Sequence, residues 1–421
     1  MRNPVCQQQV EGLGHKQHNF WLLPYLCGFC VIVFIGRIQE LFPHLSSFYL
    51  GKVAFAVSFI YFIFTIKIDS IKEHFKDDLT IKYILAIFFI AICSIPLSVW
   101  PTGSIKFVTD VLFLNMFFYF ILSYASKNEN NIIFIINSVV ISVAIIAIVA
   151  FNITGMDRVS VSYTYDSNDT AYIMVCFLPL VYYSAKARKG ILKLMMFLLV
   201  GVMMVVIIKT GSRGGFLGLL AVVVMVLLKE RKNIIKTLLF ATLLTIVFSI
   251  FAGQDYWDKI ASIADTNDYN YNARGGRLDL WKSGIKLMFS NPVLGVGVGQ
   301  YNVAEGLSHA DVGGKWSTAH NAYIQIGVEL GLPGFFFFLL LLVHNITSIR
   351  KIQRQPCYGY SSTRLSAISS GLEIGLYGYC ACAIFLSQAY SPVLMYLSAM
   401  ITGLKFIYHR FEQNENLHAC A

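Results

Sequence analysis

The chain has 421 residues, of which 56% are hydrophobic and only 13% charged, with a formal net charge of +10. A water-soluble chain usually carries nearly twice that charged fraction, so a string of soluble domains is excluded and one membrane domain over 1–421 is expected. The basic residues are spread as short clusters between apolar runs, which is a topology signal and argues against a nucleic-acid partner.

A spanning helix needs about 20 mostly apolar residues. In chain order, the candidate spans are 20–36, 46–66, 82–100, 106–125, 132–152, 170–185, 191–208, 214–228, 233–252, 321–349, 366–387 and 391–408. Residues 1–19 are polar and no small-residue cleavage site follows the first apolar run, so that run is expected to stay as a first helix. Pro333 and Gly334 predict a break early in the span at 321–349. The nine cysteines lie mostly within apolar runs, and none falls in 253–319, so no disulfide framework is implied. Cys27 and Cys30 have redox spacing but sit in an apolar helix, which favours packing.

Basic loops alternate with poor ones. Lys67, Lys72, Lys76, Lys82 and Lys127 fall on one side, with Lys186, Arg188, Lys189, Lys193, Lys229, Arg231, Lys232 and Lys236. Arg350, Lys351, Arg354, Arg364, Lys405 and Arg410 complete it. The opposite short loops hold only Arg37, Lys52, Lys106, Arg158, Lys209 and Arg213. The positive-inside rule then puts both termini in the cytoplasm. It places 153–169, the turn around Lys209–Gly215 and the long segment 253–320 on the far side.

A structureless loop as long as 253–320 is unusual unless it has structure or function. Within it, Leu278, Trp281, Ile285 and Met288 recur at helical steps, which predicts a short amphipathic helix at the outer membrane surface. Asn291-Pro292 ends it. Gly295, Gly297 and Gly299 read as turn and close-packing glycines, because the spacing and setting of a dinucleotide fingerprint are lacking.

Arg213 opens a span between Gly211 and Gly214-Gly215, a natural place for a phosphate clamp on a helix N-terminus. The alternative is an arginine that snorkels or pairs with a carboxylate. Lys209 can do either job. Arg277, after Arg274, Gly275 and Gly276, is a second clamp or a headgroup contact. His320 ends the long segment, as a general base or as a structural histidine. Glu329 lies in an apolar helix, where a carboxylate is costly and tends to be paired or functional; it can orient a base or pair an arginine. No paired carboxylates, HExxH or acidic metal cradle accompanies these residues. A metal-free transfer from a membrane-anchored diphosphate fits the set.

Three ordered motifs then carry a resemblance: GSRGG at 211–215, GGRLDLWKSGIKLMFSNPVLGVGVGQY at 275–301 and HNAYIQIGVELGLPG at 320–334. Together they resemble the O-antigen ligase and O-antigen polymerase superfamily of bacterial envelope glycosyltransferases. The resemblance implies an all-α, GT-C-like fold of about twelve transmembrane helices with one large periplasmic loop containing short amphipathic helices, in the bacterial inner membrane. It implies an undecaprenyl-diphosphate-linked glycan as donor, lipid A–core or another glycan as acceptor, inversion, and no cofactor or metal. Arg213 and Arg277 would hold the diphosphate and His320 would activate the acceptor. Arg158 is a weaker candidate, with Lys209 and Glu329 in support. Polymerase and protein O-oligosaccharyltransferase activities share the donor. A lipid-linked oligosaccharide transporter is the rival of another class, although the polar residues gather at a surface rather than at the midplane.

Overall fold

The computed structural model describes residues 21–76, 78–153, 158–162, 165–231, 242, 253–262, 276–308, 316–354 and 363–419. The expected span at 233–252 lies, apart from Thr242, outside them, as do Tyr163, Arg274 and Gly275. The described chain is helical. Its main helices are α1 (Leu23–Phe34), α2 (Leu50–Thr65), α3 (Ile68–Phe75), α4 (Leu79–Leu97, ending in a 3-10 turn) and α5 (Pro101–Ala125, with a π turn at Val108–Leu112). They continue as α6 (Glu129–Asn152), α7 (Ser167–Lys186), α8 (Gly190–Lys209) and α9 (Arg213–Glu230). Three short helices follow, α10 (Gln254–Ala261), α11 (Arg277–Ser290) and α12 (Tyr301–Leu307), and then the long α13 (Ala322–Arg354), α14 (Thr363–Ala383) and α15 (Pro392–Ala419). Each of the other expected spans falls on one of these helices.

Among the described residues five helices are long and apolar enough to cross a membrane: α4, α5, α6, α8 and α13. The bent pair α2 and α3, at 104° to each other, makes a sixth if counted as one span. The chain is therefore a polytopic helical membrane protein. Helix α9 falls outside that set because Arg213, Lys229 and Glu230 lie at its ends, and α7, α14 and α15 because of how they pack. Sixteen of the 20 residues of α7 are buried, so its environment is protein rather than lipid. Buried helices in a membrane bundle tolerate small and polar residues, which pack closely and hydrogen-bond across helices. Tyr172 of α7 donates to Ser391 Oγ at 2.9 Å, Gln353 to Ser369 Oγ at 3.0 Å and Asn345 to Ser398 Oγ at 2.9 Å.

The bundle has two chemically distinct ends. At one, Lys186 pairs with Glu230 at 2.5 Å, Glu373 takes both Lys229 and Arg350, and Lys127 donates to Ser70 Oγ at 3.0 Å. This basic end gathers the lysines and arginines of the well-charged loops. At the other, the C-termini of α1, α6, α8 and α14 meet the N-termini of α7, α9, α13 and α15. Tyr165 OH donates to Ile35 O at 3.1 Å, and Lys209 Nζ caps the end of α6 through Phe151 O and Ile153 O at 2.6 and 2.8 Å. All three sequence motifs reach this second, motif-bearing end. Cys27 and Cys30 are buried, their thiols turned to Ile121 O and to Ala54 O and Ser58 Oγ, a packing role.

The break in α13 falls at Gly331, two residues before Pro333. Gly331 has φ 68° and ψ −170°, which a side chain would resist. A half-helix that stops inside a bundle leaves carbonyls and N–H groups to satisfy. The segment 292–297 supplies them: Val296 N donates to Val328 O at 2.9 Å, Gly297 N to Glu329 O at 3.1 Å, and Leu332 N to Pro292 O at 2.8 Å. The approach is so close that a Cβ on Gly295 would lie 2.4 Å from the Glu329 carbonyl carbon.

The tightest interhelical seam joins α14 to α7. A Cβ on Gly375 would sit 2.5 Å from Cys176 O, and one on Gly371 2.7 Å from Leu180 Cα. Both obstacles are backbone, so the helices themselves must separate. Gly375→Ala is expected to destabilise the fold by about 1–3 kcal/mol. The check is a lowered melting temperature in detergent relative to the wild type, with Gly201→Ala, where a Cβ meets nothing within 4 Å, as the neutral control.

Candidate functional site

Arg213 is the first residue of α9. The turn before it is built by local hydrogen bonds. Gly211 takes φ 57°, Ser212 Oγ caps the helix by accepting from Gly215 N at 3.1 Å, and the same hydroxyl donates to Asn168 Oδ1 at 2.9 Å. Arg158 straps the turn from outside, its Nε donating to Thr210 O at 3.1 Å and its Nη2 to Asn168 Oδ1 at 2.9 Å. Arg158 and Lys209 therefore hold scaffold. A Cβ on Gly214 would lie 2.8 Å from Phe385 Cβ, and one on Gly215 2.5 Å from Ala171 Cβ, so they admit packed side chains.

Arg277 is the first residue of α11. The buried stripe of that helix is Leu280, Gly284 and Met288, with Ile285 and Phe289 exposed. Of the expected stripe Leu278, Trp281, Ile285 and Met288, Met288 is buried and Ile285 exposed; the buried face is set by packing on α12 and α13, where Tyr301 OH donates to Leu280 O at 2.8 Å and Ile324 Cγ2 fills the place of a Cβ on Gly284. Trp281 is one turn beyond Arg277 and lies against Phe385, with ring centroids 6.2 Å apart.

His320 immediately precedes the cap of α13. Asn321 Oδ1 accepts from Tyr323 N at 2.9 Å and Ile324 N at 3.0 Å. His320 itself is left-handed, at φ 45°, and its Nε2 lies 3.4 Å from Thr318 Oγ1. Arg213, Arg277 and His320 are all half-buried.

What joins these segments is the stretch 380–391, which covers the end of the expected span at 366–387 and the few residues beyond it. Helix α14 stops at Ala383, and the chain that follows forms a hub. Phe385 touches the α9 start and Trp281. Tyr323 OH donates to Cys380 O at 3.0 Å, Ala389 N to Gln325 Oε1 at 3.3 Å, and Gln388 Nε2 to Asp169 Oδ1 at 2.6 Å. Asp169 stands at the outer edge of α7, where burial and then the Asp166 carboxylate push its carboxyl up to about 7. Phe385, Gln388, Asn168 and Asp169 had no signal in the sequence beyond their residue types.

Glu329 is 2% exposed. Its carboxylate accepts from Gly299 N at 2.9 Å and Tyr301 N at 3.3 Å, so it holds the glycine-rich turn rather than an arginine.

Residues 195–339 match the family model described as O-antigen ligase. The match supports the O-antigen ligase and polymerase superfamily, the one the motifs resemble. It takes in Arg213, Arg277, His320 and Glu329, and leaves Arg158 and the hub residue Phe385 outside its bounds. No curated protein matches the chain. The matched segment runs from α8 through the half-helix break of α13.

The Glu329 contacts make a direct forecast. Glu329→Ala leaves two buried N–H groups without their acceptor, and is expected to cost about 2 kcal/mol or more. Hydrogen exchange should speed up at the Gly299 and Tyr301 amides first. Glu329→Gln, which keeps one acceptor oxygen, should lose less.

Proposed function

We propose that this protein is an O-antigen ligase of the bacterial inner membrane, transferring a glycan from undecaprenyl diphosphate to a hydroxyl of lipid A–core on the periplasmic side, with inversion and without a metal. The observation that carries the reading is the meeting at Phe385. This one side chain packs beside Gly214, next to Arg213, and against Trp281, one turn from Arg277, while its loop bonds to Gln325, five residues past His320. Two arginines and a histidine thus belong to segments fastened to one short loop.

In this reading Arg213 and Arg277 hold the diphosphate. Each begins a helix, so the helix N–H groups add to its charge. They offset the negative charge that grows on the leaving diphosphate as the anomeric C–O bond breaks. The imidazole of His320 takes the proton from the acceptor hydroxyl as its oxygen forms the new glycosidic bond. Attack from the face opposite the diphosphate inverts the anomeric centre. Arg158, Lys209 and Glu329 support the site through the backbone they hold. Twelve crossings, with 233–252 among them and both termini cytoplasmic, put the basic end inside and the motif-bearing end outside, as the positive-inside rule requires. Acceptor choice would then reside in 153–169 and 253–319.

The test is glycan transfer by purified protein, with an undecaprenyl-diphosphate-linked glycan, lipid A–core and EDTA. His320→Ala is expected to lower kcat by about 10²- to 10⁴-fold. Arg213→Ala and Arg277→Ala should raise the donor KM as well as lower kcat. Lengthening of the lipid-linked donor without transfer to lipid A–core would replace the ligase by a polymerase. Transfer to a protein acceptor would assign an O-oligosaccharyltransferase, and vectorial movement of the donor without any product would assign a transporter.

A further inference from the structure

The short helix α12 bridges the two halves of the site. At its start, Tyr301 OH is bonded to Leu280 O of α11, the helix that Arg277 opens. Toward its end, Glu305 is only 2% exposed, and its Oε2 accepts from Ser317 N at 3.1 Å. The next residue, Gly306, makes room for Trp316, whose indole would lie 2.5 Å from a Cβ there. The stretch 316–319 is therefore fastened to α12 by the Glu305 carboxylate at Ser317, three residues ahead of His320, with the half-exposed Trp316 indole lying against Gly306.

On the other side of His320, Asn321 is fixed as the cap of α13. Between these anchors His320 is held at φ 45°. A non-glycine residue in that region is disfavoured and persists only where its surroundings dictate it. A buried carboxylate is also expensive unless its hydrogen bonds are used. Two unfavourable features, a left-handed histidine and a buried glutamate, are thus coupled through one N–H.

We infer that Glu305 is a positioning residue for His320, setting the place of the imidazole by clamping Ser317 while touching no substrate itself. The inference rests on the reading of His320 as the base. A displacement of about 1 Å in a reacting group can cost on the order of 100-fold in rate.

The experiment measures kcat and donor KM in the glycan-transfer assay, using the full chain, an undecaprenyl-diphosphate-linked glycan and lipid A–core. The variants are Glu305→Ala, Glu305→Gln, Ser317→Pro, His320→Ala and the double variant Glu305→Ala/His320→Ala. Glu305→Ala should lose on the order of 100-fold in kcat with donor KM unchanged. Glu305→Gln, whose amide oxygen can still accept from Ser317 N, should recover most of the rate. The double variant should be no slower than His320→Ala alone, since a misplaced base that is already absent costs nothing more. Ser317→Pro, which deletes the N–H from the other side, should follow Glu305→Ala and carries the test if the alanine variant does not fold. Losses that multiply in the double variant, or a donor KM that rises together with the fall in kcat, would overturn the inference in favour of a general structural role. Wild-type kcat in Glu305→Ala beside an inactive His320→Ala overturns Glu305 alone. Wild-type kcat in His320→Ala removes the base and this inference together.

Discussion

Helix α13 stops at Gly331 and restarts, and inside a membrane bundle that interruption is tolerable only if every freed backbone group finds a partner. The solution is a second piece of chain laid along the break. Residues 292–301 give N–H groups to Val328 O and Glu329 O, take one from Leu332 at Pro292 O, and receive the Glu329 carboxylate at Gly299 and Tyr301. The same piece is tied to the α4–α5 turn, where Val99 N donates to Val296 O at 2.9 Å and Ser104 Oγ to Val298 O at 2.9 Å. Because 292–301 is the continuation of α11 and the start of α12, the break fixes both. Arg277 heads α11, and Glu305 of α12 grips the approach to His320. An interrupted helix therefore anchors the elements around the proposed site, and Glu329 is its key bond.

The glycines of this segment follow from the same constraint. The approach of 292–297 to 328–331 leaves no space for a Cβ at Gly295 or Gly331, and both have positive φ. Elsewhere in the bundle small residues serve a different end. Gly371 and Gly375 bring α14 against the backbone of α7, which sets the position of Ala383 and hence of the hub that follows. Packing in the middle of the bundle thus decides where Phe385 stands at its end.

Much of this was legible in the sequence, and the parts that were not have physical causes. Apolar runs of spanning length identified the helices, including α7 and α14, whose polar and small residues place them outside the set of strongly apolar spans, and α9, which its terminal charges exclude. Pro333 and Gly334 marked the break in α13, which falls at Gly331, two residues before Pro333. Arg213 and Arg277 stood out for the glycines beside them, and His320 for its place where the long polar segment ends. The hub did not stand out. The run CACAIFLSQAY stays apolar beyond Ala383, with no proline or glycine to end the helix, so Phe385 fell inside the expected span at 366–387. The buried face of α11 was hidden because α12 and α13 choose it, and those contacts are distant in sequence. Glu305 was invisible for a related reason: a carboxylate in a long polar loop reads as solvated, and only the fold buries it.

The basic residues at the motif-bearing end divide by what their donors do. Lys209 spends two donors on the carbonyls that end α6, and Arg158 spends its guanidinium on Thr210 and Asn168. To reach a phosphate either would have to give up acceptors it already holds. Arg213 and Arg277 occupy the first position of a helix, where the backbone contributes further N–H donors toward an anion. A bound diphosphate there meets a side-chain charge and a helix terminus together, without dismantling the turn that presents them. In the proposed reading Arg213 and Arg277 hold the donor because each heads a helix, and Arg158 keeps the α9 start in place through Thr210 and Asn168.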